Sequence, residues 1–137
     1  NNLAELFHYD SRRFEVATSC VPLLAGLRCS LELLEEEGTA QQRLTQIRRC
    51  SQQLWNGLQS LKGVKPLLEG PPAAGLVSFQ LHQGPAASDV VEHLGRNGLW
   101  IRHLEDPTCL RACVHFITEE QELTALTTAL KALAKAS

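Results

Sequence analysis

Leucines recur at helical spacing twice in the first half of the chain. Leu23, Leu24, Leu27, Leu31 and Leu34 fall on one stripe of residues 19–37, and Gly38 closes the run. Pro22 fits this helix because it lies in the first turn, where its missing N–H is no loss. A second helix is predicted to follow at once. Thr39 can cap it, Gln42 stands at the capping-box spacing, and Leu44, Ile47, Leu54, Leu58 and Leu61 form an apolar face that ends at Gly63. So short a connection makes the two helices packing neighbours, or turns the second sharply off the first.

From Val64 onward the period changes. Residues 64–68 are a short strand candidate, which Pro66 confines to a sheet edge, and a loop over 69–75 follows with Pro71 and Pro72. Residues 76–81 read as a strand, 88–95 as a short helix, 99–103 as a strand and 110–116 as another. A final helix is predicted to start at the N-cap Thr118, with Gln121 completing a capping box and Leu123, Leu126, Leu130 and Leu133 forming its buried stripe. Glu119 and Glu120 in its first turn, and Lys131 and Lys135 near its end, complement the helix dipole. The expected fold class is α+β: two N-terminal helices, then a small sheet of three or four strands with covering helices. Residues 1–137 are read as a single domain with a helical half and a mixed half.

Composition narrows the partners. With 44% hydrophobic and 20% charged residues among 137, the chain is of ordinary globular type, and no apolar run approaches the roughly 20 residues of a membrane span. The formal net charge is -2 and the cations are scattered, so neither nucleic acid nor an anionic membrane is an expected partner. Cys20, Cys29, Cys50, Cys109 and Cys113 are odd in number and no signal-peptide pattern opens the chain, which fits a reducing cytoplasm. The chain begins at Asn1 and has no methionine, so it reads as a piece of something longer.

Chemistry concentrates in residues 110–116. Alternation puts Leu110, Ala112, Val114 and Phe116 on one face, the core, and Arg111, Cys113 and His115 on the other. A mid-strand guanidinium flanked by apolar residues needs an anion or several acceptors to offset its desolvation. Two readings stand open: a structural ion pair with an Asp or Glu, or a fork that grips a carboxylate in two places. Cys109, Cys113, His103 and His115 invite a zinc reading, but the second ligand pair of a structural site is missing, and an extended strand holds the two thiols too far apart. Cys20, Cys29 and Cys50 read as small buried hydrophobes or bystanders on helices. There is no Gly-rich phosphate loop before a helix, nucleophile elbow or HExxH helix, and His8, His82 and His93 have no evident partner. No catalytic residue and no metal site are assigned. Thr18 precedes the first helix, where a hydroxyl and free backbone donors suit a phosphate, although capping alone explains such a residue equally well.

In their order these segments resemble the C-terminal part of class V aminotransferase-like, fold type I pyridoxal-phosphate enzymes. Residues 13–18, Arg-Phe-Glu-Val-Ala-Thr, open a long helix, and the second helix ends in Leu61-Lys62-Gly63-Val64. Gly75-Leu76-Val77-Ser78-Phe79 looks like the first sheet strand, and Asn97-Gly98-Leu99-Trp100-Ile101-Arg102 like a short helix, glycine and strand ending in arginine. Leu110-Arg111-Ala112-Cys113 is similar to a Leu-Arg-Ala-Ser strand, and Phe116-Ile117-Thr118-Glu119-Glu120 to the entry into the last helix.

The resemblance implies pyridoxal 5'-phosphate (PLP) as cofactor, Arg111 as the residue that binds the substrate α-carboxylate, and Thr18 as a contact to the cofactor phosphate across a homodimer interface. It leaves Arg13 and Glu15 structural. It places the Schiff-base lysine and the pyridinium-binding aspartate in a preceding large domain, since Lys62, Lys65, Lys131 and Lys135 are not in matching contexts. On this reading the chain alone is not a catalyst, and its partners are that large domain, a second copy and a sulfur amino acid. Two departures point within the group of cysteine desulfurases and cystine lyases. Ala17 stands where the family has glycine. Only residues 103–109 separate Arg102 from Leu110, a loop shorter than the one that carries the desulfurase nucleophile, and Cys109 does not match that position. The Asp106-Pro107-Thr108-Cys109 turn looks more like that of a lyase releasing sulfide or persulfide. The alternatives are a desulfurase that keeps its sulfur on Cys109, and a stand-alone binding domain derived from the same fold.

Overall fold

The computed structural model describes residues 8–14, 20–82 and 84–134. The chain divides into two compact units, Asn1–Gly38 and Thr39–Ser137.

In the first unit a 3-10 turn, Ser11–Phe14, precedes helix α1, Val21–Glu36. Asp10 accepts hydrogen bonds from both the backbone and the side chain of Arg12. The Arg12 guanidinium holds the Asp10 carboxyl below its ordinary range, and the pair is exposed. Pro22 sits in the first turn of α1, as its missing donor requires, and Gly38 ends the helix with φ 101°. None of the 16 residues of α1 is buried.

The second unit opens with α2, Ala40–Gln59, and its predicted cap is present in full. Thr39 Oγ1 accepts from the Gln42 N–H at 3.2 Å and Gln42 Oε1 accepts from the Thr39 N–H at 2.8 Å. Cys50, Ser51, Leu54, Trp55 and Leu58 form its buried face. Two of these also anchor the loop after β1: Ser51 Oγ donates to the Ala74 carbonyl at 2.9 Å, and Trp55 Nε1 to that of Leu68 at 3.1 Å. Each buried polar atom thus has the partner that makes its burial tolerable.

Four strands follow, β1 Val64–Pro66, β2 Leu76–Leu81, β3 Arg102–Glu105 and β4 Thr108–Cys113, with α3 Ala87–Arg96 between β2 and β3 and α4 Glu120–Leu133 last. The sheet order is β1-β2-β4-β3 and every pairing is antiparallel, so the fold is α+β as expected. β1 lies at an edge, where Pro66 leaves no inner ladder bond unmade. Val77 and Phe79 from β2, Leu110 and Ala112 from β4, Val90 and Leu94 from α3 and Leu123, Leu126 and Leu130 from α4 join α2 in one core.

Three sequence expectations shift. The strand expected over 99–103 begins at Arg102, because the Leu99 N–H bonds the Leu94 carbonyl at 2.9 Å and spends that segment on closing α3. The strand expected over 110–116 runs instead over Thr108–Cys113: it pairs with β3 right up to the turn at Asp106 and Pro107, and after Val114, whose N–H still bonds the Gly75 carbonyl, the chain enters a turn closed between His115 and Thr118. The cap of α4 is Glu119 with Glu122 as its box partner, not Thr118 with Gln121. Thr118 Oγ1 accepts from the His115 N–H at 2.9 Å and closes the preceding turn instead.

Candidate substrate-binding face

Strand alternation gives the sheet two unlike surfaces. Val77, Phe79, Leu110 and Ala112 point to the helices, so Ser78 and Arg111 point the other way. Register then builds a row across three strands: Ser78 of β2 lies opposite Arg111 of β4, and Arg111 lies opposite Arg102 of β3. Neighbouring strands are about 4.8 Å apart, so both guanidinium groups can reach one ligand above this row.

Arg111 is half-buried, and its Nε donates to Ser78 Oγ at 3.3 Å. Ion pairs among the described residues join Arg12 to Asp10, Arg28 to Glu32 and Arg96 to Glu92; none involves Arg111 or Arg102. The strand positions sharing this face are Lys65, Leu76, Ser78, Gln80, Arg102, Leu104, Cys109, Arg111 and Cys113, among which there is no carboxylate. Of the two sequence readings of Arg111, the structural ion pair therefore has no partner among the described residues. Two like charges directly opposite one another across strands are unfavourable unless an anion lies between or above them. A carboxylate held above the row would offset that repulsion.

Sequence reasoning named Arg111 but gave no role to Arg102 or Ser78. Both lay inside segments that carry the family resemblance, Arg102 as a cation ending a short strand and Ser78 as a hydroxyl in an apolar strand, and neither was assigned a partner there. Thr18 and Glu15 lie outside the described residues. The thiols divide: Cys50 and Cys109 are buried, the latter 3% exposed, whereas Cys20, Cys29 and Cys113 are exposed. His103 lies opposite Leu110, on the side of the sheet away from Cys109 and Cys113. Among the described residues no three of His, Cys, Asp and Glu converge on a common point.

The profile of the aminotransferase class-V family matches residues 4–129. The chain belongs to that family. Two similar solved structures are a mutant of the enzyme C-DES with glycine covalently linked to its PLP cofactor, and C-DES, described as a cystine C-S lyase, with its product cysteine persulfide. The first is 36% identical to this chain with a TM-score of 0.83, and the match covers 93% of this chain and 36% of that one. The second is 41% identical with a TM-score of 0.82, and covers 89% of this chain and 32% of that one. The cysteine desulfurase CsdA of Escherichia coli shares the fold at 20% identity and a TM-score of 0.75 over 89% of this chain and 32% of its own. This class-V chain thus spans about a third of the length of those structures. Among curated protein sequences no match was found.

Proposed function

We propose that this chain is the C-terminal small domain of a PLP-dependent carbon–sulfur lyase that acts on cysteine or cystine and releases sulfide or persulfide sulfur. The observation that carries the reading is the Arg111 guanidinium, set on a sheet face whose strand positions hold no carboxylate, with Arg102 beside it. Family membership and the 36% and 41% identity to C-DES support it.

The residues present fit one part of such a site. Arg111 would hold the α-carboxylate of the amino acid by two parallel N–H···O bonds, which fixes both position and orientation of the substrate. Arg102 adds positive potential at the same row and strengthens that hold. Thr18 would contact the cofactor phosphate across a homodimer interface. When bound, PLP supplies the electron sink for the bond-breaking chemistry, and the protein supplies position and charge. The Schiff-base lysine and pyridinium-binding aspartate belong to a large domain that would dock over the arginine face. The setting would be cytoplasmic.

A desulfurase that stores sulfur on Cys109 is the weaker reading, because that thiol is 3% exposed and a persulfide there would need room and access. The test is steady-state kinetics of the full-length enzyme carrying Arg111→Lys. Lysine keeps the charge but loses the fork, so KM for the amino acid should rise about tenfold or more while kcat changes less. An unchanged KM overturns the assignment.

A further inference from the structure

We propose that Ser78 is a positioning residue for Arg111: it fixes the guanidinium so that the two terminal nitrogens, not the Nε edge, face the carboxylate. The inference rests on the reading of Arg111 as the carboxylate fork.

An arginine side chain carries several rotatable bonds, and whatever rotamer freedom remains in the free protein is lost again on binding. A carboxylate can meet a guanidinium on two edges, the terminal pair Nη1 and Nη2, or Nε with one Nη. Ser78 decides between them. Its hydroxyl oxygen accepts the Nε–H at 3.3 Å from the neighbouring strand, directly in register, which occupies one edge and leaves the other. Both groups are half-buried, so the contact is partly shielded from competing water.

The choice of residue follows from the strand. β2 reads Leu-Val-Ser-Phe-Gln-Leu, and Val77 and Phe79 on either side are 1% and 0% exposed. They hold the backbone at position 78 and thereby the direction of its side chain. A serine hydroxyl is short, has few rotamers and can accept; alanine or valine would leave Nε free to turn toward the substrate or the solvent. Arg102 stands on the far side of Arg111 and, being a cation, cannot take over this role.

The test uses the full-length holoenzyme with two probes: glycine, which has the carboxylate, and methylamine, which lacks it. Equilibrium dissociation constants and Tm are measured for Ser78→Ala, for the isosteric pair Ser78→Thr and Ser78→Val, and for Arg111→Lys. One hydrogen bond to a charged group predicts that Ser78→Ala and Ser78→Val weaken glycine about three- to tenfold, with methylamine binding and Tm unchanged and Ser78→Thr close to wild type. The Thr and Val pair decides the matter even if the alanine variant folds poorly. Should glycine bind Ser78→Val as well as Ser78→Thr while Arg111→Lys weakens it, the positioning role is wrong and the carboxylate fork stands. Equal weakening of both probes, or a matching fall in Tm, also overturns the role, since a general structural defect would do that. If Arg111→Lys leaves glycine binding intact, the reading of the site fails and this inference with it.

Discussion

The two faces of the sheet are one residue apart in sequence and opposite in what they do. Val77, Phe79, Leu110 and Ala112 are at most 4% exposed and join the core; Ser78 and Arg111, interleaved with them, and Arg102, paired to Arg111, lie on the other face and carry every charge of the row. The difference teaches that fold and site are written in the same strands at a period of two. A slip of one residue would bury Arg111 and expose Leu110, so whatever fixes register fixes the site. Two devices pin it. The β3–β4 hairpin closes with Glu105 opposite Thr108, and Gly75 at the head of β2 accepts the Val114 N–H at 2.7 Å.

Substitutions on the two faces should separate stability from binding. Phe79→Ala removes the largest fully buried side chain and should cost about 3–5 kcal/mol in denaturant unfolding. Arg111→Ala should instead weaken amino-acid binding in the full-length enzyme by about 2–3 kcal/mol while leaving unfolding free energy within about 1 kcal/mol, because its head makes no ion pair among the described residues. A large stability loss on this face would break the contrast. Gly75→Ala tests the coupling between the faces. A Cβ there would lie 2.1 Å from the Val114 carbonyl oxygen, so backbone must shift, at a cost of about 1–3 kcal/mol, and amino-acid affinity should fall together with Tm. Arg102→Ala is the mildest: it removes a neighbouring cation, not the fork, and should raise Kd a few-fold, less at high salt.

The two amphipathic helices show how far pattern reading reaches. Both carry a leucine stripe; α1 starts and ends within two residues of the predicted positions, and α2 starts directly after Thr39 as predicted but stops at Gln59, short of the end expected at Gly63. Yet α2 buries five residues in the core while α1 buries none, with Leu23, Leu24, Leu27 and Leu31 each at least 52% exposed. Periodicity reports that a helix has an apolar side; it does not report what covers that side. The α4 cap illustrates the same limit at one residue's scale, since Thr118 and Glu119 both had a residue suited to a capping box three positions on, and the choice fell to the His115 turn that claimed the threonine hydroxyl.

Sequence by itself determined the α+β class, the edge position of β1 through Pro66, the capping box at Thr39, and the side of β4 on which Arg111 emerges. Each of these follows from dihedral preferences or side-chain period within a few consecutive residues. Only the tertiary structure decided the order β1-β2-β4-β3, the register that sets Ser78 and Arg102 on either side of Arg111, and the absence of a carboxylate partner among the described residues. Those depend on which distant strands pair and in what alignment, a matter settled by the packing of the whole core and carried by no single segment.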